Sequence, residues 1–194
     1  IDKGWENLRQ LSIVIDSCYD DTRFVDMFSE YSQNLKNLTQ LKLILSSPNK
    51  VTDEEVGDLT CAIGKNLKNL TSLELGFSYC ELLTSKCLLS IGRNLVKNLD
   101  RLVDFHLRFY EADFSDSESL VSLVRLIVER LPELESLTLF FLWVMDKQDA
   151  KKVLGSIYPL ITGHLKKLKK LTFQLIPYQQ YELNEEAQMT QEMR

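Results

Sequence analysis

One pattern occurs six times in this chain, and it leaves few architectures open. The spacing LxxLxL is found at Leu8/Leu11/Ile13, Leu38/Leu41/Leu43, Leu70/Leu73/Leu75, Leu102/Phe105/Leu107, Leu134/Leu137/Leu139 and Leu168/Leu171/Phe173. The leading residues lie 30, 32, 32, 32 and 34 positions apart. With each leading leucine as position zero, position +7 holds Ile15, Leu45, Phe77, Phe109, Phe141 and Leu175. Apolar residues at +3, +5 and +7 have the period of a strand with one buried face. Upstream, position −3 holds Leu35, Leu67, Leu99, Leu131 and Leu165, and position −7 holds Tyr31, Ile63, Leu95, Ile127 and Ile161. Position −11 holds Met27, Leu59, Ile91, Leu123 and Ile157, and position −14 holds Phe24, Val56, Leu88, Leu120 and Leu154. That spacing draws one stripe along an α-helix.

All length variation falls between +7 and −14. Insertions confined to one loop are the mark of a repeating strand–loop–helix unit. The same loop carries helix-start chemistry. Thr52-Asp53-Glu54-Glu55 and Ser115-Asp116-Ser117-Glu118 both fit a capping box, and Pro48 precedes its helix, where it breaks no ladder.

One such unit cannot bury its own leucines; stacked neighbours bury them in a continuous core. Helices of roughly 12 residues, about 18 Å long, fit the spacing. Strands joined by helical crossovers run parallel. The expected fold is therefore an α/β solenoid over residues 1–178: six strands lining a concave sheet, five helices on the convex side. A closed barrel would need two more units and buried residues on both strand faces.

Six LxxLxL cores over residues 8 to about 175 resemble the leucine-rich repeat superfamily. Repeat length and the full helix are similar to the intracellular ribonuclease-inhibitor-like branch. That branch includes Ran GTPase activators and the sensor arms of innate immune receptors. The resemblance implies a protein-binding arm, for sensing or docking, of a larger intracellular protein. It departs from the family at +8, where Asn or Cys usually forms a ladder. Here +8 holds Asp16, Ser46, Ser78, Tyr110, Leu142 and Ile176, so the repeats are irregular.

Composition narrows the partners. A net charge of −5 disfavours a nucleic-acid partner. The densest basic run, Lys166-Lys167-Leu168-Lys169-Lys170, fits a solvated helix end and turn. No stretch approaches a membrane span. Cys18, Cys61, Cys80 and Cys87 lack metal-site spacing and, with only His106 and His164, fit free thiols of a reducing, cytoplasmic setting. The sequons at Asn37 and Asn69 each enclose a core leucine and are read as chance matches. No cofactor or metal is implied.

Strand residues between the buried positions face the concave side. Position +2 gives Gln10, Gln40, Ser72, Asp104, Ser136 and Lys170; position +4 gives Ser12, Lys42, Glu74, His106, Thr138 and Thr172; position +6 gives Val14, Ile44, Gly76, Arg108, Phe140 and Gln174. The central group, Lys42, Glu74, Asp104, His106, Arg108 and Phe140, has hot-spot composition. Two readings fit it: a partner contact, or charges that pair along their rows and keep the face soluble. Trp143, in the loop after the fifth strand, is a further candidate contact, or folds back over the core edge. The acidic loop Glu111–Asp116 fits helix capping.

Asp104 and His106 share a face, but no Ser or Cys nucleophile is expected at their level: Ser72 and Ser136 belong to another row. Phosphate loops and hydrolase motifs are missing, so an enzyme is not expected. The expected function is a protein–protein interaction scaffold. A GTPase-regulatory module of the Ran-activator type and a structural spacer in an assembly remain alternatives. The first strand lacks a preceding helix, so an additional N-terminal domain or a partner covering it is expected. Residues 179–194 are polar, and a loose capping helix from Asn184 or a tail both fit.

Overall fold

The computed structural model describes residues 5–16, 23–46, 51–112, 114, 116–142, 147–176 and 188–192. Cys18, Pro48, Ser115 and Trp143, and the tail up to residue 187, lie outside the described residues. The six repeat strands are Gln10–Asp16 (β1), Gln40–Ser46 (β2), Ser72–Ser78 (β3), Asp104–Tyr110 (β4), Ser136–Leu142 (β5) and Lys170–Ile176 (β6). Each spans +2 to +8 of its repeat. They pair in parallel in chain order, with every frame position opposite the same position of the next strand.

The helices are Arg23–Tyr31 (α1), Asp53–Asn66 (α2), Ser85–Ile91 (α3), Ser117–Arg130 (α4) and Lys147–His164 (α5). A π-helical turn, Gly92–Val96, continues α3. Each helix packs against its sequence neighbours, so they form one layer. The chain is an α/β solenoid of the leucine-rich-repeat type.

A backbone device holds the register. The +1 carbonyl of Arg9 accepts the N–H groups of both Thr39 and Gln40, at +1 and +2 of the next repeat. Thr39, Thr71, Val103 and Glu135 repeat the arrangement down to Lys169 and Lys170. This ladder sits at the entry of the strands and needs no particular side chain. Asn37 and Asn69 add to it: their amides donate to the carbonyls of Glu6 and Lys36, one repeat back. The sequon side chains are thus engaged in stacking. The basic run is engaged likewise: Lys166 donates to the helix carbonyl of Thr162, while Lys167 and Lys169 pair with Glu133 and Glu135.

The core is continuous. Frame residues of the central repeats, among them Leu75, Leu107, Phe109 and Leu139, are fully buried. At +7, Phe109 stacks between Phe77 (5.1 Å) and Phe141 (5.6 Å). Phe114, from the acidic loop, closes edge-on over Phe109 at 4.8 Å. That loop therefore also contributes to the core.

Three expectations need correction. In α1, Met27 and Tyr31 are exposed, while Val25 and Phe28 are buried. Among the described repeat helices, α1 packs on α2, and the side of its stripe turned away from α2 stays uncovered; Tyr31 rests on Trp5 at 5.9 Å. At α4 the cap is Asp116, one residue beyond the expected Ser: its carboxylate accepts from the Glu118 N–H and the Ser119 hydroxyl. The Thr52 capping box is complete. At the C-terminal end, Gln188–Glu192 (β7) is a strand, antiparallel to β6, rather than a helix. It satisfies backbone groups that the last parallel strand would leave unpaired.

Candidate protein-binding face

The strict register aligns the non-core rows. Lys42, Glu74, His106 and Thr138 are consecutive cross-strand partners, as are Ile44, Gly76, Arg108 and Phe140. Asp104 lies in the third row, between Ser72 and Ser136. Lys42, Glu74, Asp104, His106, Arg108 and Phe140 are all half-buried, as expected for side chains standing close together on an open sheet.

Three of the candidates form one ionic group. Glu74 pairs with Lys42 at 3.1 Å and with Arg108 Nε at 3.6 Å. The second contact is diagonal, from β4 to β3. Gly76, directly opposite Arg108, places no side chain between them. Ile44 leans over that glycine instead: a Cβ there would stand 2.6 Å from Ile44 Cδ1. Arg108 Nε is buried, but its distance to Glu74 exceeds hydrogen-bond length, and the atom makes no hydrogen bond. Half-exposed pairs of this kind contribute about 0–1 kcal/mol to stability, so the group is no structural necessity.

Phe140 stands beside Arg108 in its row. Its ring packs on Tyr110 at 4.9 Å. Tyr110 was not singled out from the sequence as a site residue. The available signal was its place at +8, where the repeats depart from the family pattern. Beyond it, Tyr79 is 53% exposed at a left-handed φ of 58° and donates its N–H to the Tyr110 carbonyl. Arg108, Phe140, Tyr110 and Tyr79 thus follow the carboxyl ends of β3 to β5.

His106 Nε2 lies 3.4 Å from Ser136 Oγ. Ser136 stands in the neighbouring row, as expected, and reaches His106 diagonally from the adjacent strand. Burial holds the His106 imidazole below the ordinary value of 6.5, outweighing the upward pull of Glu74. Asp104 acts on it only electrostatically; no hydrogen bond joins the two among the described contacts. The Ser136 N–H itself donates to the Val103 carbonyl.

Elsewhere, a groove of about 370 Å³ runs between α4 and α5, lined by Val121, Arg125, Lys152 and Val153 among others. Among the described residues, no cluster of three or more His, Cys, Asp or Glu side chains could hold a metal ion. No described helix is long and apolar enough to cross a membrane.

No family model matches the chain, and no curated protein matches it. Among solved structures it is similar to the leiomodin-1 actin-binding site 2, with a TM-score of 0.55 and 14% identity. The match covers 85% of this chain and 87% of that one. Likeness at this identity reaches the fold and stops there: a parallel sheet alternating with helices, in a leucine-rich-repeat-type solenoid.

Proposed function

We propose that the chain is a protein-binding module, the sensing or docking arm of a larger protein, and that its partner lies across the open face of β2 to β5. One observation carries this reading. Lys42, Glu74, Arg108, Phe140 and Tyr110 form a single contiguous patch of charge and aromatic surface on a rigid sheet. A non-enzymatic role goes with it. Among the described contacts the Ser136–His106 pair lacks an orienting carboxylate hydrogen bond, so Ser136 should not react with a fluorophosphonate probe.

A second contact region lies at the amino-terminal end. There Trp5, Val14, Met27 and Tyr31 are exposed, and the outer edge of β1 has no partner among the described strands. A further repeat or a partner protein packed on β1 would cover them.

Affinity capture, followed by binding measured with the purified partner, tests the first reading. Phe140→Ala and Arg108→Glu should each weaken binding by about tenfold or more. Arg125→Glu, in the groove between the helices, should leave it unchanged. If neither sheet variant weakens binding, the open face is not the contact. Actin is the first purified candidate to try, because the structurally similar leiomodin fragment is an actin-binding site.

A further inference from the structure

We infer that the open side of the first repeat is a stacking site for one more strand–helix unit of the same kind, and that Asn7 is the residue that registers it. The inference rests on the amino-terminal contact region proposed above and names what fits it.

The second and third repeats turn the same set of groups toward the repeat before them. The N–H groups of Thr39 and Gln40 share the Arg9 carbonyl, and those of Thr71 and Ser72 share the Thr39 carbonyl. Asn37 and Asn69, both at −1, donate their amides to the −2 carbonyls of Glu6 and Lys36. The first repeat carries the same set. Its −1 residue is Asn7, which is exposed and whose amide makes no hydrogen bond among the described contacts. Arg9 and Gln10 stand at +1 and +2. In the common register their N–H groups face away from β2, toward an edge with no strand among the described residues.

The helix layer is open on the same side. In α2, Leu59 and Ile63 hold positions −11 and −7 and are 1% and 0% exposed; in α1, Met27 and Tyr31 hold those positions and are 48% and 38% exposed. Trp5 stands exposed at −3, where Leu35 and Leu67 are buried. A unit whose strand lies parallel to β1 and whose helix leads into Trp5 would continue the interface that joins every later pair of repeats. Its +1 carbonyl would take Arg9 and Gln10, and its −2 carbonyl would take Asn7. The strand β1 carries no Lys or Pro to discourage such pairing. A second copy of the chain fits less well. The far edge of its β6 is taken by β7, and its β1, with the helices kept on one side, would run antiparallel and offer no shared carbonyl.

A graft tests this. A copy of residues 35–66, one full period, is joined to Trp5 in place of residues 1–4, and amide exchange is followed by mass spectrometry beside the unaltered chain. In the graft the amides of residues 9–16 should exchange about tenfold more slowly or better, and the urea midpoint should rise. Asn7→Ala should lower the midpoint of the graft and leave that of the unaltered chain where it was. Asn7→Asp keeps the size but cannot donate, and should cost the graft at least as much. A segment that is attached but unstacked gives none of these responses. A copy of residues 67–98, the next period, serves as the second graft. Failure of both copies to protect β1, or Asn7→Ala acting alike in graft and unaltered chain, would overturn the inference. The contact-region reading has a separate outcome. If β1 is already protected in the unaltered chain and ultracentrifugation shows a dimer, the amino-terminal end is a contact for a second copy: that reading stands and the stacking site falls.

Discussion

The first repeat and the fourth obey the same frame and end in different environments. In the fourth, Phe105, Leu107 and Phe109 are fully buried. In the first, Leu11, Ile13 and Ile15 occupy the same positions and are only half-buried. The strands have equal length and matching hydrogen-bond register. What differs is the number of neighbours among the described strands: β4 lies between two, β1 beside one. In a stacked fold the frame position sets which way a side chain points, and the adjoining repeats set how much water it loses. The carboxyl-terminal end shows the other solution. There β7 turns back against β6 and closes the edge.

The largest test of this contrast is a pair of truncations. Phe109→Ala removes a ring stacked between two others and should cost about 4 kcal/mol, whereas Ile13→Ala should cost only about 1 kcal/mol. Urea denaturation measures both. Equal losses would mean that the end repeat is covered in solution, and the contrast would break.

Next comes the contact between consecutive helices. A Cβ at Gly64 would stand 2.0 Å from the Asn94 carbonyl oxygen, which is backbone and cannot turn aside. Gly64→Ala should therefore cost about 2 kcal/mol, despite the helix propensity it gains. The same change at Gly155, where nothing lies within 4 Å of the added methyl, should stabilise by up to about 1 kcal/mol. If thermal melts place the two variants together, close packing of α2 on the π-helical turn is wrong.

Smaller effects belong to the caps. Thr52→Ala and Asp116→Ala each remove an acceptor for helix amides, and each should lower stability by about 1 kcal/mol. Asp116→Asn keeps an acceptor and should lose less. A full-sized loss there would show that the negative charge, rather than the hydrogen bonds, is what matters.

The smallest expected effect is a slope with pH. Burial holds the folded His106 below its ordinary value of 6.5. Between those two values the unfolded chain binds more protons, so stability falls as pH drops through about 6.5 toward the folded value. His106→Gln should remove this component. The difference in urea midpoint between the two proteins should shift in favour of the variant on going from about pH 7.5 to about pH 5. A constant difference would mean that the imidazole is well solvated.

The order of strands and helices, the parallel register and the face each strand residue takes were legible in the sequence. All follow from periods of 2 and 3.6 that recur in phase, and phase is a property of the chain. The Thr52 cap was legible too, because a capping box is closed by residues three apart. Phe114 was hidden within an acidic loop, where nothing periodic marks a ring that turns inward.

What the sequence determined by itself was the lattice: which residue stands opposite which, from Gln10 across to Lys170. Only the tertiary structure decided how that lattice is used. It placed Glu74 between Lys42 and Arg108, brought Ser136 to His106 across two rows, and set Tyr110 against Phe140. It also left Met27 and Tyr31 uncovered although they keep the frame. Repeat spacing fixes backbone positions, whereas diagonal contacts and burial depend on side-chain reach and on what the neighbouring strand or helix supplies.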